Sequence, residues 1–471
     1  MINGDNRKIF WLTLLLLISR LPFLFDGYGA EEDAWAMPLV AERIATTGVY
    51  EVSRLPGHPV QELTYALMWN AGPVAYNFVT LLLSTIGILF FMLALRNFGV
   101  RNYLIAGAAL AFTPIVYINS TNALDYTWAM SFILISFWGL SKRLTLLAAG
   151  FIALAVGCRI TTGAMLIPFA YLLWNTSLPQ EKLKTVITFS IAVLIGSLVV
   201  FTPVMLTYGI DFFTYYEHFP IPGFAKNFYK GTIAVWGVPG CIALLLVVFF
   251  LITQQNKITE HSSTIYRKAL LNTSLIVIGL YTISFIKVPL KSAFMIPLVP
   301  FVWICTSLLL DEKKQKMLLA TFVISCFLVG INLSDPLRGS KETAFTLHAS
   351  ISGQPIALDA FAGPVTADLT KRQQRTTYAK SVLSITQNIS ERTFIIAGWW
   401  LADLLVLQRG TENENVLFRY YTDEKELQWY RQQGYRIYFL PEQDTYNDLR
   451  FHKKFTGQYA TILRTEITSG N

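Results

Sequence analysis

Long apolar stretches recur along most of this chain, and they limit its fold more than any other feature. They fall near residues 9–25, 77–95, 103–118, 126–140, 144–158, 160–174, 185–206, 232–252, 269–286, 293–310 and 317–333, eleven in all. A membrane-crossing helix needs about 20 apolar residues, with a usable range of roughly 17–25. Several stretches are short, and Cys158-Arg159 interrupts the pair at 144–174. Of the 471 residues, 53% are hydrophobic and only 14% charged, whereas soluble domains carry roughly 25% charged residues. The expected class is therefore an α-helical polytopic membrane protein.

The loops agree with this count. Arg7-Lys8, Arg96 with Arg101, Lys142-Arg143, Lys182 with Lys184, Lys257 with Arg267-Lys268, and Lys313-Lys314 with Lys316 fall on alternate loops. The intervening loops carry Glu31-Glu32-Asp33, Asp125, and Asp211 with Glu217. Cations collect in cytoplasmic loops, so the N-terminus is expected inside and the C-terminus outside. The formal charge of +8 then reflects orientation, and no nucleic-acid partner is implied. Arg7-Lys8 before an apolar run resembles a signal peptide but lacks a small-residue cleavage pattern, so it reads as a retained anchor. Cys158, Cys241, Cys305 and Cys326 lie in or beside apolar stretches without metal-type spacing, which suits small core residues.

Three pieces lie on the outer side. The first is the loop 26–76, where Asp33–Thr47 is expected to form an interfacial helix with Trp35, Leu39 and Ile44 on one face, stopped by Gly48. The second, 208–231, is rich in aromatics, as interfacial belts are. The third is the tail 334–471. There Thr393–Ala397, Val416–Tyr420 and Arg436–Leu440 read as strands, and Asp423–Gln433 reads as a helix closed by Gly434. The expected organisation is a membrane domain over 1–333 and a small extracytoplasmic α/β domain over 334–471. The tail has no glycine-rich phosphate loop of the GxGxxG type.

The polar residues of the outer face are candidates for chemistry. They are Glu31, Glu32, Asp33, Arg54, His58, Glu62, Asp125, Arg159, Lys287 and Lys291. A carboxylate there can take a proton from an attacking hydroxyl. Lys and Arg can stabilise charge on a departing phosphate. Each residue also has an ordinary explanation: a carboxylate can cap a helix, a lysine can snorkel, and a histidine beside proline can bond its own loop. What distinguishes them is that all lie on one side.

These residues resemble the GT-C class of membrane glycosyltransferases, which includes protein O-mannosyltransferases (family 39) and aminoarabinose transferases. The resemblance rests on the acidic motif in the first outer loop and on the run from Asp33 to Gly48. It rests also on Pro56-Gly-His-Pro59 before an apolar helix, on Asp125, and on the basic-then-proline segment Lys287–Pro300. It covers about residues 9–333. It implies an inverting transfer of sugar from a polyprenyl-phosphate or -diphosphate donor to a hydroxyl on a glycan, lipid or protein. The site would face the outside of a bacterial inner membrane rather than the lumen of an endoplasmic reticulum.

By the same resemblance Asp33 or Glu32 is the base, and the spacing to Gly48 favours Asp33. Asp125 orients the acceptor or binds a divalent cation; no motif calls for another cofactor. Lys287, Lys291 and Arg159 hold the donor phosphate, the two lysines standing where the family often has an Arg-Tyr pair. Arg54, His58 and Glu62 position the acceptor or their own loop. A transporter or lipid flippase is the second reading, and a non-catalytic scaffold the third. Against the transporter stand the absence of an internal repeat and the placement of charges at loop edges.

Overall fold

The structure is a computed structural model that describes residues 4–210, 222–253, 265–333, 346–351, 354–420, 422, 424–440, 447–448 and 453–454. The expected aromatic stretch at 211–221, with Asp211 and Glu217, and Lys257 lie outside the described residues.

The chain is mostly helical, and every expected apolar stretch falls on helix over most of its length. α1 (Gly4–Arg20) leads through a short 3-10 turn into the loop 26–76. That loop carries α2 (Glu32–Thr47) and α3 (Pro59–Ala66). α2 stops where expected: Gly48 has φ 69 and donates its N–H to Ile44 O, a left-handed cap that glycine adopts without a Cβ penalty. α4 (Gly72–Asn97) follows, then α5 (Tyr103–Ala111) and α6 (Pro114–Asn119). The stretch 103–118 is broken because Pro114 has no N–H to continue α5 and is suited to a first helical turn. Next come α7 (Tyr126–Ser141) and α8 (Thr145–Cys158). The stretch 160–174 begins as a 3-10 helix, Ile160–Met165, before α9 (Leu166–Thr176).

α10 (Lys182–Tyr208) precedes the aromatic piece 208–231, whose described part includes α11 (Phe224–Gly231), and α12 (Ile233–Trp236) follows. At Gly237 the chain bends by 91° into α13 (Val238–Thr253). α14 (Ile265–Lys287), a 3-10 helix at Ser292–Leu298, α15 (Val299–Leu309) and α16 (Glu312–Phe327) complete the bundle.

By length and composition four of these helical runs can cross a bilayer: Gly72–Asn97, Lys182–Tyr208, Tyr266–Lys287 and Ser292–Leu309. The bent pair Phe224–Trp236 and Val238–Thr253 makes five if it counts as one crossing. α4 packs on α7, and α7 on α8. The approach is close enough that a Cβ on Gly87 would lie 2.7 Å from the Ser131 backbone. Small residues allow this proximity between helices in lipid, where apolar burial gives no drive to associate.

The expected last stretch, 317–333, needs correction at its end. Helix stops at Phe327, and Gly330–Leu333 is strand β1, antiparallel to β3 (Gln354–Asp359) with Gly330 opposite Asp359. β2 (Thr346–Ile351) lies on the other edge of β3. Apolar content alone did not separate a helix end from a strand there. Beyond the helix Pro364–Thr386, the expected strands and helix are found almost to the residue. β4 (Thr393–Ile396) lies between β5 (Val416–Arg419) and β6 (Arg436–Phe439), parallel to both, and the helix Glu424–Gln432 connects β5 to β6. β4 is buried along its whole length, as a central parallel strand should be.

Candidate active site

The site residues share one backbone setting: helix beginnings that converge. Asp33 lies in the first turn of α2, while His58 and Asp125 are the N-caps of α3 and α7. Arg159 and Lys291 are each a single extended residue before a 3-10 turn, with φ −150, ψ 113 and φ −136, ψ 135. The Cys158-Arg159 interruption is thus the device that turns the Arg159 side chain out of its helix. Helix N-termini carry partial positive charge and suit anions. Asp125 makes no side-chain cap bond to α7, so ordinary capping does not explain it.

Three carboxylates and three cations alternate in one chain of contacts. Lys291 Nζ lies 2.6 Å from Glu31 Oε2 and also bonds Asp33 Oδ2. Arg54 Nη1 lies 3.4 Å from Asp33 Oδ2, and Arg54 Nη2 bonds Asp125 Oδ1. Arg159 Nη1 donates to Asp125 Oδ2 at 2.7 Å. Its guanidinium also stacks 4.4 Å from the Tyr126 ring centroid and 4.8 Å from that of Phe294. Asp125 is fully buried, whereas Asp33 and Lys291 keep side-chain exposures of 23% and 32%. The network therefore runs from a sealed end to an end that solvent or substrate can reach.

Burial penalises the charge on Asp33, but Arg54 and Lys291 outweigh it and hold its carboxyl well below the usual carboxylate range. Burial likewise opposes ionisation of Asp125, and His58, Arg54 and Arg159 outweigh it in the same direction. For Lys291, burial is overcome by Asp33 and Glu31, which raise it well above the ordinary lysine value. His58 moves the other way, since burial lowers it below its usual value. Its Nδ1 is 2.5 Å from Cys158 O. A carbonyl oxygen only accepts, so Nδ1 carries a proton. Nε2 is buried without a hydrogen-bond partner among the described residues.

Glu62 organises the loop beneath this network. Its fully buried carboxylate accepts from Tyr50 Oη at 2.5 Å, Ser53 N and Ser53 Oγ each at 2.7 Å, and His58 N at 3.0 Å. These bonds fix the segment that bears Arg54.

Of the sequence-predicted residues, the structure brings together Asp33, Arg54, His58, Asp125, Arg159 and Lys291, with Glu62 as their support. Glu32 opens α2, and it is Asp33 that reaches both Lys291 and Arg54. Lys287 ends α14 with its side chain exposed, and among the described residues the site carboxylates pair with Lys291, Arg54 and Arg159 instead. Three residues separate it from Lys291, and the turn between them aims the two differently. Glu31, a sequence candidate without a specific role, pairs with Lys291, and sequence reasoning missed Lys230, which donates to Leu290 O beside Lys291. Among the described residues no group of three or more His, Cys, Asp or Glu side chains converges to hold a metal ion. The carboxylate proposed for a cation, Asp125, is enclosed by guanidinium groups instead.

No family model and no curated protein matches the sequence. Solved structures do match the fold. ArnT from Cupriavidus metallidurans in the apo state superposes with a TM-score of 0.58 at 14% identity, over 93% of this chain and 94% of that one. ArnT bound to undecaprenyl phosphate gives 0.58 at 13% identity, over 94% of each chain. The resemblance to GT-C aminoarabinose transferases is thus met in three dimensions: with its apolar helices, this chain is an integral membrane protein that shares the fold of ArnT.

Proposed function

We propose that the protein is an inverting glycosyltransferase. It moves a sugar from a polyprenyl-phosphate or -diphosphate carrier to a hydroxyl of a glycan, lipid or protein. The reaction takes place at the extracytoplasmic face of a bacterial inner membrane. In this reading the shorter helices complete about eleven crossings, and the tail lies outside. The observation that carries the proposal is the alternating network Glu31–Lys291–Asp33–Arg54–Asp125–Arg159, set at converging helix N-termini. Its occurrence in the fold of a protein solved with undecaprenyl phosphate supports the donor class.

In the proposed reaction the acceptor hydroxyl gives its proton to Asp33 as its oxygen bonds to the anomeric carbon. The bond from that carbon to the phosphate oxygen breaks, and its electron pair leaves on the phosphate. Attack opposite the leaving group inverts the configuration. Lys291, Arg54 and Arg159 stabilise the departing charge, Lys291 being the most accessible of the three. While Lys291 and Arg54 hold Asp33, its carboxylate is a weak base. A donor phosphate competes with Asp33 for Lys291, so donor binding itself frees the base.

The test is sugar release from a radiolabelled polyprenyl-phosphate sugar by the purified full chain. Asp33→Asn is expected to fold, bind donor, and lose about 10²- to 10⁴-fold in transfer, the usual contribution of a positioned base. Full transfer by Asp33→Asn overturns the assignment of the base. Wild type that releases sugar from no donor overturns the enzyme reading.

A further inference from the structure

The tail helix Pro364–Thr386 makes buried polar contact with the two outer segments that lead to the site carboxylates. Arg372 is 1% exposed. Its Nη1 donates to Thr121 O at 2.6 Å and Phe23 O at 3.2 Å, and its Nη2 donates to Ile118 O and Thr121 Oγ1, each at 3.2 Å. Nε bonds Asp368 Oδ2 at 2.7 Å, one turn earlier on the same helix. The carbonyls of Ile118 and Thr121 belong to the end of α6 and the turn that follows it, so Arg372 satisfies acceptors that a helix C-terminus leaves over.

That turn leads directly to Asp125. It is tied to the first outer loop through Ala123 N, which donates to Tyr28 O at 2.8 Å. One helical turn past Arg372, Thr376 lies against the same loop: a Cβ on Gly27 would be 3.1 Å from Thr376 Oγ1 and 2.6 Å from the Trp35 ring. Gly27 has φ +66, so neither the space nor the backbone there admits another residue without strain. A second tail arginine reaches α2 itself. Arg409 lies 2.6 Å from Glu42 Oε2 and donates to Pro38 O at 3.1 Å.

We propose that the tail is part of the catalytic machinery, and that Arg372 is a positioning residue that fixes the turn bearing Asp125 against the loop bearing Asp33. The proposal rests on the glycosyltransferase reading only for what the two carboxylates do. The cross-link itself is a matter of geometry. A guanidinium with this fork of donors can hold three carbonyls from two segments at once, which a lysine ammonium cannot match in direction. Displacing a catalytic group by about 1 Å can lose 10²-fold in rate, so a residue that never touches substrate can still set the rate.

The experiment compares the full chain with Arg372→Gln and Arg372→Lys by amide hydrogen exchange over residues 118–125 and by the pH profile of sugar release. Both variants are expected to lose protection at 118–125, Gln more than Lys. Transfer should fall about 10- to 100-fold in kcat with donor KM nearly unchanged. The acid limb should move to higher pH, because Arg54, which bridges Asp125 and Asp33, is displaced with the turn and Asp33 is then protonated more easily. A role in stability alone would leave that limb in place. Unchanged exchange overturns the proposal, and so does changed exchange with an unmoved acid limb and normal kcat. If Arg372→Gln does not fold, Arg372→Lys alone decides by the same criteria. Should wild type release sugar from no donor, the enzyme reading falls and exchange at 118–125 decides whether the cross-link exists.

Discussion

Arg159 donates to Asp125 across 2.7 Å, and solvent reaches almost none of either side chain, with exposures of 7% and 0%. A buried pair of this kind is strained by losing one member far more than by losing both. Removing a partner so that a buried charge is left uncompensated costs about 3–5 kcal/mol; Arg54 still holds Asp125 Oδ1, so Arg159→Ala is expected to destabilise the protein by less than that. Arg159→Lys keeps the charge but gives up the planar stacking on Tyr126 and Phe294, so it should fall between. Thermal unfolding in one detergent provides the measurement. Equal melting temperatures for wild type and Arg159→Ala would mean that the pair contributes no net stability.

Acid sensitivity follows from the carboxylates. Asp33 and Asp125 are held below the ordinary carboxylate range in the folded protein. Groups shifted in this direction contribute stability that is fully present above their unfolded pKa, about 3.9 for Asp, and lost as pH falls through the lower folded value. The network should thus stay ionised below the ordinary aspartate value of about 3.9, while its contribution to stability begins to fall there. Lys291→Met removes one of the two cations that hold Asp33 down, and its carboxyl rises toward the ordinary value. The acid limb of kcat/KM, which reports the free enzyme's base, should then move to higher pH. A profile that coincides with wild type would remove Asp33 from the role of base.

Glu62 should separate positioning from chemistry. Among the described residues, the groups that hydrogen-bond its carboxylate are donors: Tyr50 Oη, Ser53 N, Ser53 Oγ and His58 N. Glu62→Gln keeps the size but presents an amide NH₂ to donors on one side. Each buried donor left without an acceptor costs about 1–3 kcal/mol. The expected outcome is a lower melting temperature together with weaker transfer, because the loop that bears Arg54 loses its fixed shape. Asp33→Asn, which gives up ion pairs at the open end but leaves no donor array without its acceptor, should lose far more transfer than Glu62→Gln for the same fall in melting temperature. Were Glu62→Gln to lose transfer while melting like wild type, Glu62 would belong to the chemistry.

How far the sequence disclosed this arrangement depends on the range of the interaction. The helices were legible because an apolar stretch declares itself locally, and so was the stop at Gly48, which is a property of one residue's backbone. Asp33, Asp125, Arg159 and Lys291 stood out because charges are rare in such a chain and these fall at loop edges. The pairing of Lys291 with Asp33 joins residues 258 apart, and no local pattern encodes that. Arg372 was invisible for another reason. Its acceptors are mostly backbone carbonyls, which every residue possesses and which leave no trace in side-chain identity. The strand at 330–333 was read as helix because its residues are apolar in either state, and only pairing with 356–359 distinguishes them.

The two lysines ahead of the last proline-rich helix give the sharpest separation. Sequence reasoning assigned both to the donor phosphate, yet only Lys291 joins the network, while Lys287 is exposed at the end of α14. An exposed charge of that kind contributes little, so Lys287→Ala should leave donor KM within about twofold of wild type. Lys291→Ala loses a charge-assisted contact worth about 1.5–3 kcal/mol, which corresponds to roughly a 10- to 100-fold rise in donor KM. Titrating the lipid-linked donor against the two variants side by side measures the contrast. If Lys287→Ala weakens the donor as much as Lys291→Ala does, the segment between them must turn when substrate binds, and the phosphate site extends to Lys287. If only Lys291→Ala weakens it, the phosphate binds within the network at the open end, where Lys291 meets Asp33.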